Sequence, residues 1–289
     1  MNIKYIYFIT MLSLLLGNHE MKSKIASEVL TTLASVINDV IEKNFTDEEQ
    51  AKINNITKLR NELEKDETVT GLFSMSHMVR IISMPHDPWG LLLVKLARTF
   101  QPKTSLELGT CLGISCAYLA AGLNEGQLIT MESFQPLVPL ATSNFEALNI
   151  NNISLLCGDV PDLLKQELPL LPSIDFVFDD HLHAEKYVME YLNIIKPYLS
   201  DQAVYLFDDI HRNASMESAW EKIKKDEAVK ITITLAKGIC YWDFKHPVPR
   251  VGICIVDKDI TEKIHCDINL DGCKSVKVEN NRLIEQRDT

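Results

Sequence analysis

The chain has 289 residues, 46% hydrophobic and 24% charged, with a formal net charge of -11. That length and apolar content exclude wholesale disorder and a polytopic membrane protein, and leave room for one large domain with an extension. The negative balance, with no basic run or arginine-rich stripe, argues against nucleic acid as a partner.

In chain order the first feature is Lys4 followed by "YIYFITMLSLLLG", an apolar run of about 13 residues, too short to span a bilayer as a helix but the size of a signal-peptide core. No small-residue cleavage site follows, and Met21 opens the polar, helix-forming "MKSKIASEVL". Residues 1–20 therefore have three readings, in order of preference: a start placed too early, a membrane-surface anchor, and a secretory signal. Membrane association is expected only if they are retained, and the cytoplasm is the expected location because the chemistry below needs a cytosolic metabolite.

Apolar residues recur at helical spacing from Ile25 to Ile41, and "TDEE" places Thr46 and Glu49 as a capping box for a second helix. Residues 21–70 are thus a helical extension, whose expected roles are homodimerisation, a lid, or cover for the core. Seven cysteines without paired CxxC spacing point to a reducing compartment. Cys111, Cys116, Cys157, Cys240 and Cys254 stand in apolar contexts as reduced core residues, while Cys266 and Cys273 could cross-link.

From Thr104 short β-rich runs alternate with amphipathic helical segments: "TSLEL", "QLITME", "NISLLCGD", "IDFVFDD" and "AVYLFDD". Such alternation means βαβ crossovers and a parallel sheet covered on both faces. "VKITITL" is then followed by "KGICYWDF" and "RVGICIV" with no helix between them, so the sheet is expected to finish antiparallel. The expected fold is α/β, a doubly wound, mostly parallel seven-stranded sheet with an antiparallel final strand, over residues 71–257. Residues 258–289 are expected to be a peripheral tail, with a short hairpin as the alternative.

In an open parallel sheet, ligands bind outside the carboxyl ends of the strands. The ends here are acidic: Glu107 and Gly109; Glu132; Gly158 and Asp159; Asp179, Asp180, His181 and His183; Asp208, Asp209 and His211. The Gly109 to Gly113 turn admits close backbone approach, and Glu132, about 25 residues after Glu107, can accept both hydroxyls of a ribose. A pyrophosphate site wants GxGxxG with open amides, whereas a carboxylate beside the loop favours a ligand carrying an ammonium or a sulfonium.

These residues resemble a class I S-adenosylmethionine-dependent methyltransferase. "LELGTCLGIS" is similar to the first motif of the catechol and caffeoyl-CoA O-methyltransferase branch, "LITMES" to its second, and "SIDFVFDDHLH" and "YLFDDIH" to its fourth and fifth strands, over roughly residues 80 to 245. The pattern of Asp180-x-x-His183 with "FDDIH" also resembles a bacterial methyltransferase group. The resemblance implies S-adenosylmethionine as cofactor: Glu107, Gly109 and Gly113 bordering its methionine part, Ser115 near its carboxylate, Glu132 on the ribose, Gly158 and Asp159 by the adenine. It also implies a site for Mg²⁺ or another divalent cation at Asp180, Asp208 and Asp209. Two positions depart from the branch: Asp209 replaces its asparagine, and His183 stands where it has a catalytic lysine.

The expected reaction is O-methylation of a small-molecule hydroxyl, with His183 as general base and Asp180 orienting it or sharing the cation. An imidazole with pKa near 6.5 suits that task at neutral pH. Trp89 in "SMPHDPWG" would wall the acceptor site or pin the loop, and Trp220 is expected in the core. A non-catalytic S-adenosylmethionine-binding protein and, more distantly, a nicotinamide oxidoreductase are the alternatives.

Overall fold

The computed structural model describes residues 19–70, 73–79, 86–239 and 247–287. The apolar run before residue 19, Met84 and Cys240 lie outside them, as do the side chains of His86 and Asp87. The chain divides into two compact units, one of Lys43–Val177 and one of Phe178–Thr289 with the described residues up to Glu42. Helix α1 is His19–Glu42 and α2 is Asp47–Leu63.

In the Lys43–Val177 unit, Thr46 caps α2 as expected: its hydroxyl accepts the Glu49 N–H at 3.2 Å, and Glu49 Oε2 accepts the Thr46 N–H at 2.8 Å. Glu49 is nevertheless buried, and a buried carboxylate needs partners. Helix α3, Leu91–Phe100, supplies them through Lys95 at 3.3 Å and Arg98 at 3.5 Å. A π-helical turn, His86–Gly90, leads into α3 with Trp89 buried, so Trp89 pins this turn to the core.

Strand β1, Thr104–Leu108, is buried at every position, as a strand covered on both faces should be. It is followed by α4, Ile114–Gly122; β2, Gln127–Glu132; α5, Val138–Ala147; β3, Ile153–Cys157; and α6, Val160–Glu167. Strands β1, β2 and β3 pair in parallel, with Glu107 opposite Thr130 and Glu132 opposite Cys157. Cys157 is exposed rather than in the core, because β3 is the edge of the sheet and has a neighbour on one side only.

Strand β4, Ile174–Asp179, runs across the boundary between the units. The other unit then holds α7, Glu185–Ile195; β5, Leu199–Phe207; α8, Ala214–Lys225; β6, Val229–Ile239; and β7, Pro247–Asp257. Strand β7 is antiparallel to both β5 and β6, a pairing that needs no crossover helix. The start of "KGICYWDF", up to Ile239, continues β6, and the rest of that run lies outside the described residues. Trp220 on α8 is buried as expected, its indole N–H donating to the Thr234 hydroxyl at 3.1 Å.

Residues 258–289 carry β8, Ile264–Asn269, which pairs parallel to β6, and a hairpin of β9, Ser275–Glu279, with β10, Arg282–Gln286. The C-terminal segment thus supplies an eighth strand, and the order of the mostly parallel sheet is β8-β6-β7-β5-β4-β1-β2-β3. Helix α1 packs on the hairpin and buries Leu30, Leu33 and Ile37. Asn38 completes the join: its amide donates to the Val276 carbonyl at 2.8 Å and its oxygen accepts the Val276 N–H at 2.6 Å. Among the described residues no helix is long and apolar enough to cross a membrane.

Candidate active site

Strand β1 delivers Glu107 to the foot of a tight turn. Gly109, Cys111 and Gly113 have φ of 96°, 49° and 75°, a left-handed region that glycine enters without a Cβ penalty. The Gly109 and Thr110 N–H groups both donate to the Met131 carbonyl, at 3.0 and 3.2 Å, and the Gly113 N–H donates to Thr110 at 2.7 Å. A Cβ on Gly113 would lie 2.4 Å from the Phe145 ring. This glycine therefore serves packing as well as turning, a reason the sequence did not disclose.

Glu107 does not project into solvent from this turn; it is fully buried. Its Oε2 accepts the Cys116 thiol and the Thr130 hydroxyl, the latter at 2.9 Å, while Oε1 has no hydrogen-bond partner in the protein. Burial pushes the carboxyl up to about 7, against the pull of Cys116, Ser115 and Thr130 and with a contribution from the Glu132 charge. Ser115 stands in the first turn of α4 and is itself buried.

Glu132 closes the turn from β2. Its Oε2 accepts the Cys111 N–H at 2.8 Å and its Oε1 the Phe134 N–H at 2.7 Å. An ionised carboxylate offers about four lone-pair sites, so two further hydrogen bonds are open to it. The Gly158 N–H donates to the Glu132 carbonyl at 3.0 Å, tying the end of β3 to the same place. Asp159 is the N-cap of α6, its Oδ1 accepting the Asp162 N–H at 3.4 Å, a structural task that its spacing alone did not reveal.

The acid and histidine cluster belongs to the other unit. Burial pushes the Asp179 carboxyl up to about 7, with the His181 N–H and the Tyr205 hydroxyl opposing. Next to it, Asp180 Oδ1 lies 3.5 Å from His183 Nε2, and Asp209 Oδ2 lies 4.0 Å from the same nitrogen. Asp208 is buried, and its N–H donates to the Asp179 carbonyl at 3.0 Å. Asp209 has φ of 50°. Its Oδ2 is also met by Arg212 Nη1 at 3.1 Å. Asn213 caps α8 by accepting the Met216 N–H at 3.0 Å and donates to the His183 carbonyl at 3.1 Å. Arg212 and Asn213 escaped the sequence reading, although a cation three residues after Asp209 was the available signal. His211 pairs with Glu217 at 3.3 Å on the surface.

Among the described residues no group of three or more His, Cys, Asp or Glu is arranged to hold a metal ion. Asp180, Asp208 and Asp209 do not assemble into such a ligand set, and Asp209 meets both His183 and Arg212.

Residues 106–210, which hold the glycine turn, Glu132, Asp180, His183 and both aspartates after β5, match the family described as "Methyltransferase domain". Over those residues the chain is similar to that family. Solved structures share its fold. The O-methyltransferase from Bacillus cereus in complex with SAH (S-adenosylhomocysteine) is 18% identical with a TM-score of 0.54, over 80% of this chain and 99% of that one. TomG, an O-methyltransferase of tomaymycin synthesis from Streptomyces achromogenes in complex with SAM (S-adenosylmethionine), is 18% identical with a TM-score of 0.53, over 80% of this chain and 98% of that one. No curated protein matches the chain.

Proposed function

We propose that the methyltransferase domain transfers a methyl group from S-adenosylmethionine to the hydroxyl of a small molecule, with His183 as general base. The observation that carries the cofactor assignment is Glu107, a fully buried carboxyl under a two-glycine turn with one oxygen lacking a protein partner. Leaving such a group without a partner is costly, and a ligand ammonium would satisfy it. The residues fit the cofactor: Glu107, Gly109, Gly113 and Ser115 for its methionine part, Glu132 for the ribose hydroxyls through its remaining lone pairs, and Gly158 and Asp159 for the adenine. Structures of similar fold bound to SAH and SAM support this reading.

The cofactor supplies an electrophilic methyl on a sulfonium. The protein must align the acceptor and take its proton. In this reading the His183 imidazole accepts that proton, and Asp180, 3.5 Å from its Nε2, steadies the imidazolium that results. The residues around Asp209 do not fit a divalent cation, and no step is assigned to one. A reducing, cytoplasmic setting is proposed on the six described cysteines, all free, including Cys266 and Cys273. The acceptor is taken to be a small molecule and not nucleic acid, on the net charge of -11.

The test is calorimetric titration with S-adenosylhomocysteine alongside single-turnover methylation of a panel of hydroxyl acceptors. Binding by the wild type, with His183→Ala binding equally but transferring no methyl, is the expected result. Loss of binding in His183→Ala, or undiminished transfer, would remove His183 from its role.

A further inference from the structure

We infer that Arg212 is a built-in counter-cation of the acid and histidine cluster, neutralising Asp209 where the resemblance implies a divalent metal ion. The inference rests on the methyltransferase reading for its functional meaning but on separate observations for its content. Asp209 replaces an asparagine of the resembling branch and so brings one extra negative charge beside His183 and Asp180. The same chain supplies a positive charge three residues later. The Arg212 N–H donates to the Asp209 carbonyl at 2.9 Å, closing a turn around the left-handed Asp209. That turn returns the guanidinium to Asp209 Oδ2 at 3.1 Å, the oxygen that also faces His183 at 4.0 Å.

Arginine stays charged at every relevant pH, and a hard dication needs its carboxylate ligands at about 2.0–2.6 Å with much of its water retained. A dication on Asp209 Oδ2 would therefore be forced against the guanidinium, and binding would require Arg212 to swing away. Because Arg212 is 56% exposed on its side chain, its repulsion is screened by water and its effect is moderate rather than absolute.

The experiment measures Mn²⁺ binding by electron paramagnetic resonance on the full chain, saturated with S-adenosylhomocysteine, for the wild type, Arg212→Gln, Arg212→Lys and Asp209→Asn. Removing one positive charge a few ångströms from a dication in a water-like medium should tighten Mn²⁺ about tenfold in Arg212→Gln, while Arg212→Lys stays with the wild type. Equal Mn²⁺ affinity in wild type and Arg212→Gln overturns the inference. So does tight Mn²⁺ binding by the wild type that Asp209→Asn abolishes. Calorimetry with S-adenosylhomocysteine alone keeps the two readings apart. Failure of the wild type to bind it sinks the methyltransferase assignment, whereas the Mn²⁺ comparison, repeated without it, still decides the role of Arg212.

Discussion

Glu107 and Asp209 both stand at the carboxyl end of a sheet strand, yet they are satisfied in opposite ways. Glu107 is fully buried, bonded to a thiol and a hydroxyl, and keeps one oxygen without a partner. Asp209 is 24% exposed on its side chain and is closed off by Arg212 and His183. The first arrangement raises the energy of the ion and leaves it receptive to a cationic ligand. The second sets its charge against neighbours within its own unit, His183 and Arg212. Acidity at a strand end is therefore not one signal but two, and burial separates them.

The sharpest break between the two regions comes from removing the proposed base. His183→Ala is expected to lower single-turnover methyl transfer by about 10²–10⁴-fold, the usual scale of general-base catalysis, with S-adenosylhomocysteine affinity unchanged by calorimetry. A joint loss of both would mean that the clusters are not functionally separable.

The next largest effect distinguishes them by pH. With its carboxyl raised from 4.5 to about 7, folded Glu107 keeps a proton that the unfolded chain releases. Its contribution to stability is present below about 4.5 and is lost as pH climbs to about 7, a change of about 3 kcal/mol. Asp179, raised from 3.8 to about 7, acts in the same direction. Urea unfolding between these limits should show the decline, and Glu107→Gln should flatten part of it. A stability that rises over this range would contradict the buried state of both groups.

Two smaller effects sharpen the picture of the turn. Glu107→Gln keeps the shape but loses the charge, and is expected to weaken S-adenosylhomocysteine about 10–100-fold, the worth of a hydrogen bond to a charged group. Gly113→Ala meets the Phe145 ring and a φ of 75°. It should cost about 1–3 kcal/mol, visible as a lowered Tm. Should Gly113→Ala be neutral, the turn would owe its glycine to ligand approach alone.

Much of this was legible in the sequence. The alternation of strands and helices from Thr104, the capping box at Thr46 and the core position of Trp220 follow from local patterns, and the structure has all three. The hydrogen-bond partners of Glu107 and Glu132 were less visible, because Thr130, Cys116 and the Cys111 N–H come together only through strand register and a helix turn. The C-terminal segment was hidden for a related reason. Its polar composition resembles a tail, and its strand β8 is recognisable only by its pairing with β6. Asp159 and Arg212 were each obscured by short-range chemistry, a cap and a turn, that looks the same in sequence whether or not a ligand is near.

In the proposed function the buried carboxyl under the glycine turn holds the cationic end of S-adenosylmethionine. Calorimetric titration of the full chain with S-adenosylhomocysteine, wild type against Glu107→Gln, tests it most directly. The wild type should bind saturably, and the single change of charge should weaken binding about 10–100-fold. No binding by the wild type, or the same affinity in both, would contradict it.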